Sequence, residues 1–157
     1  MVDSFLPTAD AYVSLREITV DTVHRVIHLY DTLSEHQRTL VASNAESIAH
    51  AHYLRKVWMR AIFANEVPVG FLMLHEDPSR GEYFLWRLMI GSPHQRKGFG
   101  RRAIELLANY VRTRPNACYL CASYVSLDSG LDAFYERLGF ERTGEAGQGE
   151  KAIRLSL

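Results

Sequence analysis

Cysteine, excess charge of either sign and long apolar runs are all scarce in this chain. With Lys+Arg 18 against Asp+Glu 18, it has no bulk positive field for nucleic acid, so any attraction for phosphate must be local. No apolar run approaches the roughly 20 residues that cross a bilayer. The opening residues, MVDSFLPTADAYVSL, carry neither a basic start nor a small-residue cleavage site. The expected compartment is the cytoplasm, with no membrane or nucleic-acid partner. The 2 cysteines, Cys118 and Cys121, form a C-x-x-C within ACYLCASYV, which reads as a buried strand. Residues three apart on a strand point to opposite faces, so these are expected to be small core residues, not a redox pair or half a zinc site. His50 and His52, two apart on a helix, diverge in the same way. No metal is expected.

What remains is an ordinary globular composition, 47% hydrophobic and 23% charged over 157 residues. That length suits one domain spanning 1–157, since a chain of about 150 residues buries roughly 68–70% of its unfolded surface. Tyr12–Ile18 reads as a first strand. Asp21 opens a helical stretch with Val23, Val26, Ile27 and Tyr30 on one stripe, and Ser34 can cap a second helix through Leu40 and onward to about Tyr53. Val57–Ala64 and Val69–His75 form a hairpin across Asn65-Glu66-Val67-Pro68, and Pro78-Ser79-Arg80-Gly81 is the next turn. Tyr83–Ile90 is nearly all apolar, so it should be a central strand covered on both faces. After the break at Gly91-Ser92-Pro93 comes an amphipathic helix with Ala103, Ile104, Leu107, Tyr110 and Val111 inward. Strand Cys118–Val125 follows. A last helix, capped by Asp128 or Ser129, turns Leu131, Phe134 and Leu138 to the core and ends at Gly139. Phe140–Thr143 and Ala152–Leu157 close the chain. The expected fold is mixed α/β (α+β), a largely antiparallel sheet of six or seven strands flanked by about four helices.

Between the central strand and the amphipathic helix lies Gln95-Arg96-Lys97-Gly98-Phe99-Gly100, followed by Arg101. A strand, a basic glycine loop and a helix together suit an anion, because the first helical turn leaves its N–H groups without intrahelical partners. Glycine at 98 and 100 removes side chains that would hold a phosphate away from the backbone. The dipole contributes only about 0.3–1 kcal/mol, whereas each charge-assisted hydrogen bond contributes roughly 1.5–3 kcal/mol. The loop amides should therefore matter more than the solvated charges of Lys97 or Arg101. The chain has no G-x-x-x-x-G-K-[ST], and Gly98–Ala103 lacks the third glycine of a dinucleotide fingerprint. A basic turn that merely joins strand to helix is the alternative.

Gln95–Gly100 resembles the Q/R-x-x-G-x-G/A signature of the GNAT superfamily of acetyl-CoA-dependent N-acetyltransferases. Phe134-Tyr135-Glu136-Arg137-Leu138-Gly139-Phe140 is similar to that family's F/L-Y-x-x-x-G-F element, and the likeness extends over essentially the whole chain. Gly139–Glu145 and the terminal Gly149-Glu150 look most like bacterial spermidine or diamine acetyltransferases. The resemblance implies acetyl-CoA as co-substrate, without a metal. Backbone N–H groups of Arg96, Lys97, Gly98, Phe99, Gly100 and Arg101, after Gln95, would hold the diphosphate, and the pantetheine arm would pair with Leu88, Met89 and Ile90 like an added strand. A backbone N–H at Leu88 or Met89 would then polarise the thioester carbonyl.

The family places a tyrosine like Tyr135 with its hydroxyl toward the sulfur, as proton donor to the leaving thiolate. Some polyamine acetyltransferases carry a carboxylate where this chain has Trp86. Its absence removes the obvious base; Glu82 or Glu76 could act only through a water chain, and solvated surface carboxylates are the first reading of both. Trp86 can line an acceptor pocket and meet a cation through its π face; a core tryptophan is the alternative. Asp31 and Glu35 can attract a cationic amine, though solvated surface charge is the default reading of both. Arg96 replaces a glycine common after the first signature residue, and is strained if that position needs φ > 0. Asp128 stands where an asparagine often contacts the coenzyme. The expected reaction is direct transfer of acetyl to a primary amine of a small molecule such as a polyamine. A protein N-terminus or lysine, or a non-catalytic acyl-CoA sensor, is the alternative, and the resemblance is compatible with a homodimer.

Overall fold

The computed structural model describes residues 6–126 and 130–157; Asp128 and Ser129, expected to cap the last helix, lie outside them. One seven-stranded sheet runs through these residues in the order β1-β2-β3-β4-β5-β7-β6. The strands are β1 (Val13–Arg16), β2 (Val57–Ala64), β3 (Val67–Asp77), β4 (Glu82–Ile90), β5 (Tyr119–Val125), β6 (Glu141–Ala146) and β7 (Glu150–Ser156). All neighbours are antiparallel except β4 and β5. The helices are α1 (Val23–His28), α2 (Glu35–Leu40), α3 (Asn44–Tyr53), α4 (Phe99–Arg112) and α5 (Leu131–Arg137). No helix among the described residues is long and apolar enough to cross a membrane.

Each face of the sheet carries its own core. On one, Phe99, Ala103, Ile104, Leu107 and Val111 of α4 pack with Leu72, Leu74, Leu85 and Leu120. On the other, Val26 and Leu29 pack with Phe71, Met73 and Met89. Burying one such side chain contributes about 1.5–3 kcal/mol, so the long apolar stripe fixes α4 on the sheet although its first turn lacks a side-chain cap.

Several boundaries differ from the sequence expectation for local reasons. α2 and α3 are separate because Val41 is extended (φ −144°, ψ 138°) and Ser43 caps α3 through the Glu46 N–H. The β2–β3 turn is the tighter Asn65-Glu66, with Asn65 at φ 52°, a conformation asparagine tolerates. Pro68 thus lies inside β3, opposite Phe63 beside a bulge, where its missing N–H is accommodated. In α5 it is Tyr135 that is buried, while Leu131, Phe134 and Leu138 are half-buried against the core. Gly139 does end the helix in the left-handed region, at φ 90°. The expectation for the cysteines is corrected: Cys118 precedes β5 and is exposed, and Cys121 is half-buried.

Candidate active site

Two local irregularities in β4 create the site. Met73 pairs with Arg87 and Leu74 with Leu85, so Trp86 has no partner and forms a bulge. Toward β5 the pairing is confined to Phe84 with Cys121 and Leu85 with Ala122. Past the bulge the two parallel strands part, and their backbones face a gap.

The direction of each β4 peptide follows from the ladder. The Gly91 N–H donates to the Val69 carbonyl (2.9 Å), with Gly70 opposite Ile90 and Phe71 opposite Met89. In an antiparallel pair hydrogen-bonded residues alternate. Met89 therefore spends its N–H and C=O on Phe71, whereas those of Leu88 and Ile90 point away from β3, into the gap. The Ile90 carbonyl accepts from Gln95 Nε2 at 2.8 Å. The Leu88 and Ile90 N–H groups are thus the donors at this end of β4 aimed at the opening, and the Met89 N–H is not.

A cleft of about 830 Å³ fills this gap. Phe84–Ile90 form one wall, Ser123–Val125 with Leu131, Phe134 and Tyr135 another, and Thr39–Ser43 close the side toward α2 and α3. Of the sequence-predicted residues, Trp86, Leu88, Met89, Ile90, Gln95 and Tyr135 line it. Asp31 and Glu35 do not: Asp31 pairs with His28 Nδ1 at 2.8 Å in the open, and Glu35 stands in the exposed first turn of α2. Glu82 pairs with Arg80, and Glu76 accepts from the Tyr110 hydroxyl; neither lines the cleft. The face of Trp86 is already shared, with the Arg87 guanidinium 5.1 Å from one ring centroid and His50 stacked at 6.2 Å.

The glycine loop stands at the end of β4. Gly98 is the N-cap of α4 at φ 78°, and Arg96 lies at φ 60°, so the arginine occupies the left-handed region where glycine would be relaxed. Among the described residues, no backbone N–H from Arg96 to Arg101 donates to a protein acceptor. Several side chains of the loop are otherwise engaged. Lys97 Nζ donates to the Pro7 carbonyl, Arg101 pairs with Glu105 and Arg102 reaches the Ala9 and Ala11 carbonyls. Lys97 and Arg102 thus tie the loop to the segment before β1, and the loop amides are left without a protein acceptor among the described residues.

Tyr135 sits where α5 meets the sheet. Its ring stacks on Tyr124 (centroids 5.0 Å apart) and meets Phe134 and Phe140 edge-on at 5.1 and 5.2 Å. Burial pushes its phenol up to about 12, so at neutral pH it holds its proton. The Tyr124 hydroxyl donates to Asp132, whose carboxylate also takes Lys151 Nζ and the Ser126 hydroxyl. Those donors hold the Asp132 carboxyl down to about 2, the Tyr124 bond first among them.

Apart from Gln95, sequence reasoning missed the charged and amide side chains of the lining. Glu46 and Glu150 are its carboxylates, and Glu150 accepts from the Ser123 hydroxyl at 2.5 Å. Arg87 enters beside the bulge; burial pushes its guanidinium below the usual arginine range, against the opposing charges of Glu46 and Glu150. Gln37 joins two elements: it completes the Ser34 capping box, and its Nε2 donates to Gln95 Oε1 at 3.0 Å. Only Gln37 had a sequence signal, the S-x-x-Q spacing.

Comparison with known proteins agrees with this geometry. Residues 23–140 match the model of the acetyltransferase (GNAT) family. No curated protein matches. Among solved structures, an acetyltransferase from Thermus thermophilus is 22% identical with a TM-score of 0.73, over 92% of this chain and 97% of that one. A PaiA N-acetyltransferase from Thermoplasma acidophilum in complex with coenzyme A is 13% identical, TM-score 0.72, over 93% and 99%. A chimera of the spermidine N-acetyltransferase from Vibrio cholerae is 17% identical, TM-score 0.70, over 92% and 95%. At these identities the structures show a shared fold, and the family match carries the assignment: the chain belongs to the acetyltransferase (GNAT) family and is an acetyl-CoA-dependent N-acetyltransferase.

Proposed function

We propose that the cleft between β4 and β5 transfers acetyl from acetyl-CoA directly to the primary amine of a small molecule. The observation that carries this reading is the row of unpartnered loop amides, Arg96–Arg101, at the mouth of a gap into which the Leu88 N–H points. The loop amides, after Gln95, hold the diphosphate, and the pantetheine arm runs along Leu88–Ile90. The Leu88 N–H bonds the carbonyl oxygen as negative charge develops on it. A neutral amine forms the new C–N bond, the C–S bond breaks, and Tyr135 gives its proton to the departing thiolate. The attacking nitrogen sheds its surplus proton to water, and Glu46 and Glu150 can relay it. Residues 1–157 act as one domain, since both cores pack on one sheet.

The spermidine enzyme among the similar structures makes polyamines reasonable members of the acceptor panel. The paired charges in the lining work against them, because a polycation finds Arg87 as well as Glu46 and Glu150. The test is thiol release from acetyl-CoA across polyamines, aminoglycosides, amino acids and short peptides. Release with one or more small amines is expected. Release with peptides alone would replace the reading by a protein acetyltransferase, and tight acetyl-CoA binding with no release by a sensor.

A further inference from the structure

The charged side chains lining the cleft are Arg38, Glu46, Arg87 and Glu150, two of each sign. A site built for a polycation would carry an excess of carboxylates, and this one is balanced. Arg87 is the unusual member. It stands on β4 immediately after the bulge, on the wall that leads to Leu88. Its Nε is buried and, among the described residues, has no hydrogen-bond partner. Its Nη1 donates only to the carbonyl of its own neighbour, Trp86, at 2.9 Å. It forms no ion pair with any described carboxylate, and neither Glu46 nor Glu150 is in one. A half-buried guanidinium with a dry, unanswered N–H is costly in a resting protein. The group that matches its planar fork is a carboxylate, which accepts two parallel hydrogen bonds.

We propose that Arg87 is the seat for a carboxylate on the acceptor, and that the amine acetylated in this cleft belongs to a zwitterion of the amino-acid class. This rests on the reading above that the cleft takes a small-molecule amine. The bulge displaces Trp86 from the ladder and sets Arg87 beside the residue whose N–H faces the thioester, so the carboxylate is anchored close to the reacting carbonyl. An α-amino acid keeps its amine only two bonds from the carboxylate carbon, a span that suits this adjacency. Glu46 and Glu150 balance the ammonium form before it loses its proton. Trp86, with one face against the guanidinium, holds the fork in place.

The test pairs each amino acid with the amine left by its decarboxylation, ornithine with putrescine and methionine with 3-(methylthio)propylamine. Steady-state rates are measured for the native enzyme, Arg87→Met and Arg87→Lys, with acetyl-CoA affinity measured in parallel by calorimetry. The native enzyme should favour the carboxylate-bearing member at least tenfold in kcat/KM, mainly through KM. Arg87→Met should lower kcat/KM for the amino acids about ten- to a hundredfold and bring the ratio within each pair toward one. Arg87→Lys, which keeps the charge and loses the fork, should fall between. All three should bind acetyl-CoA alike, which also shows that the variants fold. Equal turnover of both members, or preference for the decarboxylated amine, overturns the assignment of Arg87 and leaves the small-molecule reading intact. Turnover of lysine-containing or N-terminal peptides with no small amine accepted overturns both.

Discussion

Tyr124 lies flat against Tyr135, ring centroids 5.0 Å apart and planes 25° from parallel, while its own hydroxyl is spent on Asp132. One tyrosine is thus a fixed wall for the other. Asp132 is on α5 with Tyr135, and Tyr124 is on β5, so the bond ties the helix that carries the proposed acid to the strand that forms the cleft. Lys151 of β7 joins the same carboxylate. Of the three tyrosines that line the cleft, Tyr30 and Tyr124 spend their hydroxyls on Arg38 and Asp132, and Tyr135 alone donates to no described residue.

Tyr135→Phe removes that hydroxyl and leaves the stacking. If the phenol protonates the thiolate, kcat falls about a hundredfold, and the dissociation constant of coenzyme A changes less than threefold by calorimetry. The pH profile offers a second check. A phenol raised to about 12 by burial keeps its proton throughout the range in which the enzyme can be assayed. The native kcat should therefore show no alkaline fall below about pH 10, the ordinary phenol value. A descending limb centred near pH 8 or 9 would assign the donor to another group.

Asp132 gives a stability prediction with a definite sign. Its carboxyl is held at about 2 in the folded protein, against an ordinary value of about 3.9. A carboxyl lowered by folding favours the folded state above its ordinary value, and that contribution disappears as pH falls toward the folded value. Asp132→Asn should thus unfold more easily than the native protein at pH 7, with the gap closing between about pH 4 and pH 2. Urea titrations at pH 7, 4 and 3 read the difference directly. A gap that stays constant with pH would mean the charge of Asp132 contributes nothing.

The sequence made the scaffold legible because its signals were periodic. The α4 stripe, the continuous apolar run of β4, the Ser34 cap and the Gly139 terminator each leave a local pattern, and each element stands where that pattern put it. The exception is that β4 is central without being covered on both faces: Phe84, Trp86, Leu88 and Ile90 are half-buried along the cleft. The glycine turn between β4 and α4 was legible as a break in that pattern. The bulge and the charged lining of the cleft were not. The bulge at Trp86 depends on how Met73 and Leu74 of another strand meet β4, and no pattern within β4 announces it. The meeting of Glu46, Arg87 and Glu150 joins α3, β4 and β7, which tertiary contact alone brings together. Asp31 and Glu35 lie on the early helices and both face outward, the surface charge that is the default reading of such residues.

Arg96 lies at φ 60°, where a non-glycine residue bears about 1–2 kcal/mol of strain. Arg96→Gly relieves it, offset by the roughly 0.5–1 kcal/mol of extra chain entropy that glycine loses on folding. Stability should be unchanged or rise by up to about 1.5 kcal/mol. If, as proposed, the amides rather than the exposed guanidinium hold the diphosphate, coenzyme A affinity should fall less than threefold. A tenfold loss would show that the side chain grips the ligand and that its strain serves binding.

Gly100 separates what the fold needs from what the ligand needs. An added Cβ there would meet Ile90 Cγ1 and Phe134 Cζ at 3.6 Å, ordinary contact, and alanine is better than glycine in a helix by about 0.5–1 kcal/mol. Gly100→Ala should therefore raise the melting temperature. Ile90 and Phe134 both line the cleft, however, so the same methyl group fills the passage between the end of β4 and α5, beside the amides of the loop. Acetyl-CoA affinity should fall about tenfold in Gly100→Ala and further in Gly100→Leu, so stability and binding move in opposite directions. Calorimetry with acetyl-CoA, alongside thermal melts of both variants, decides the matter: full affinity in Gly100→Leu would place the diphosphate away from the first turn of α4.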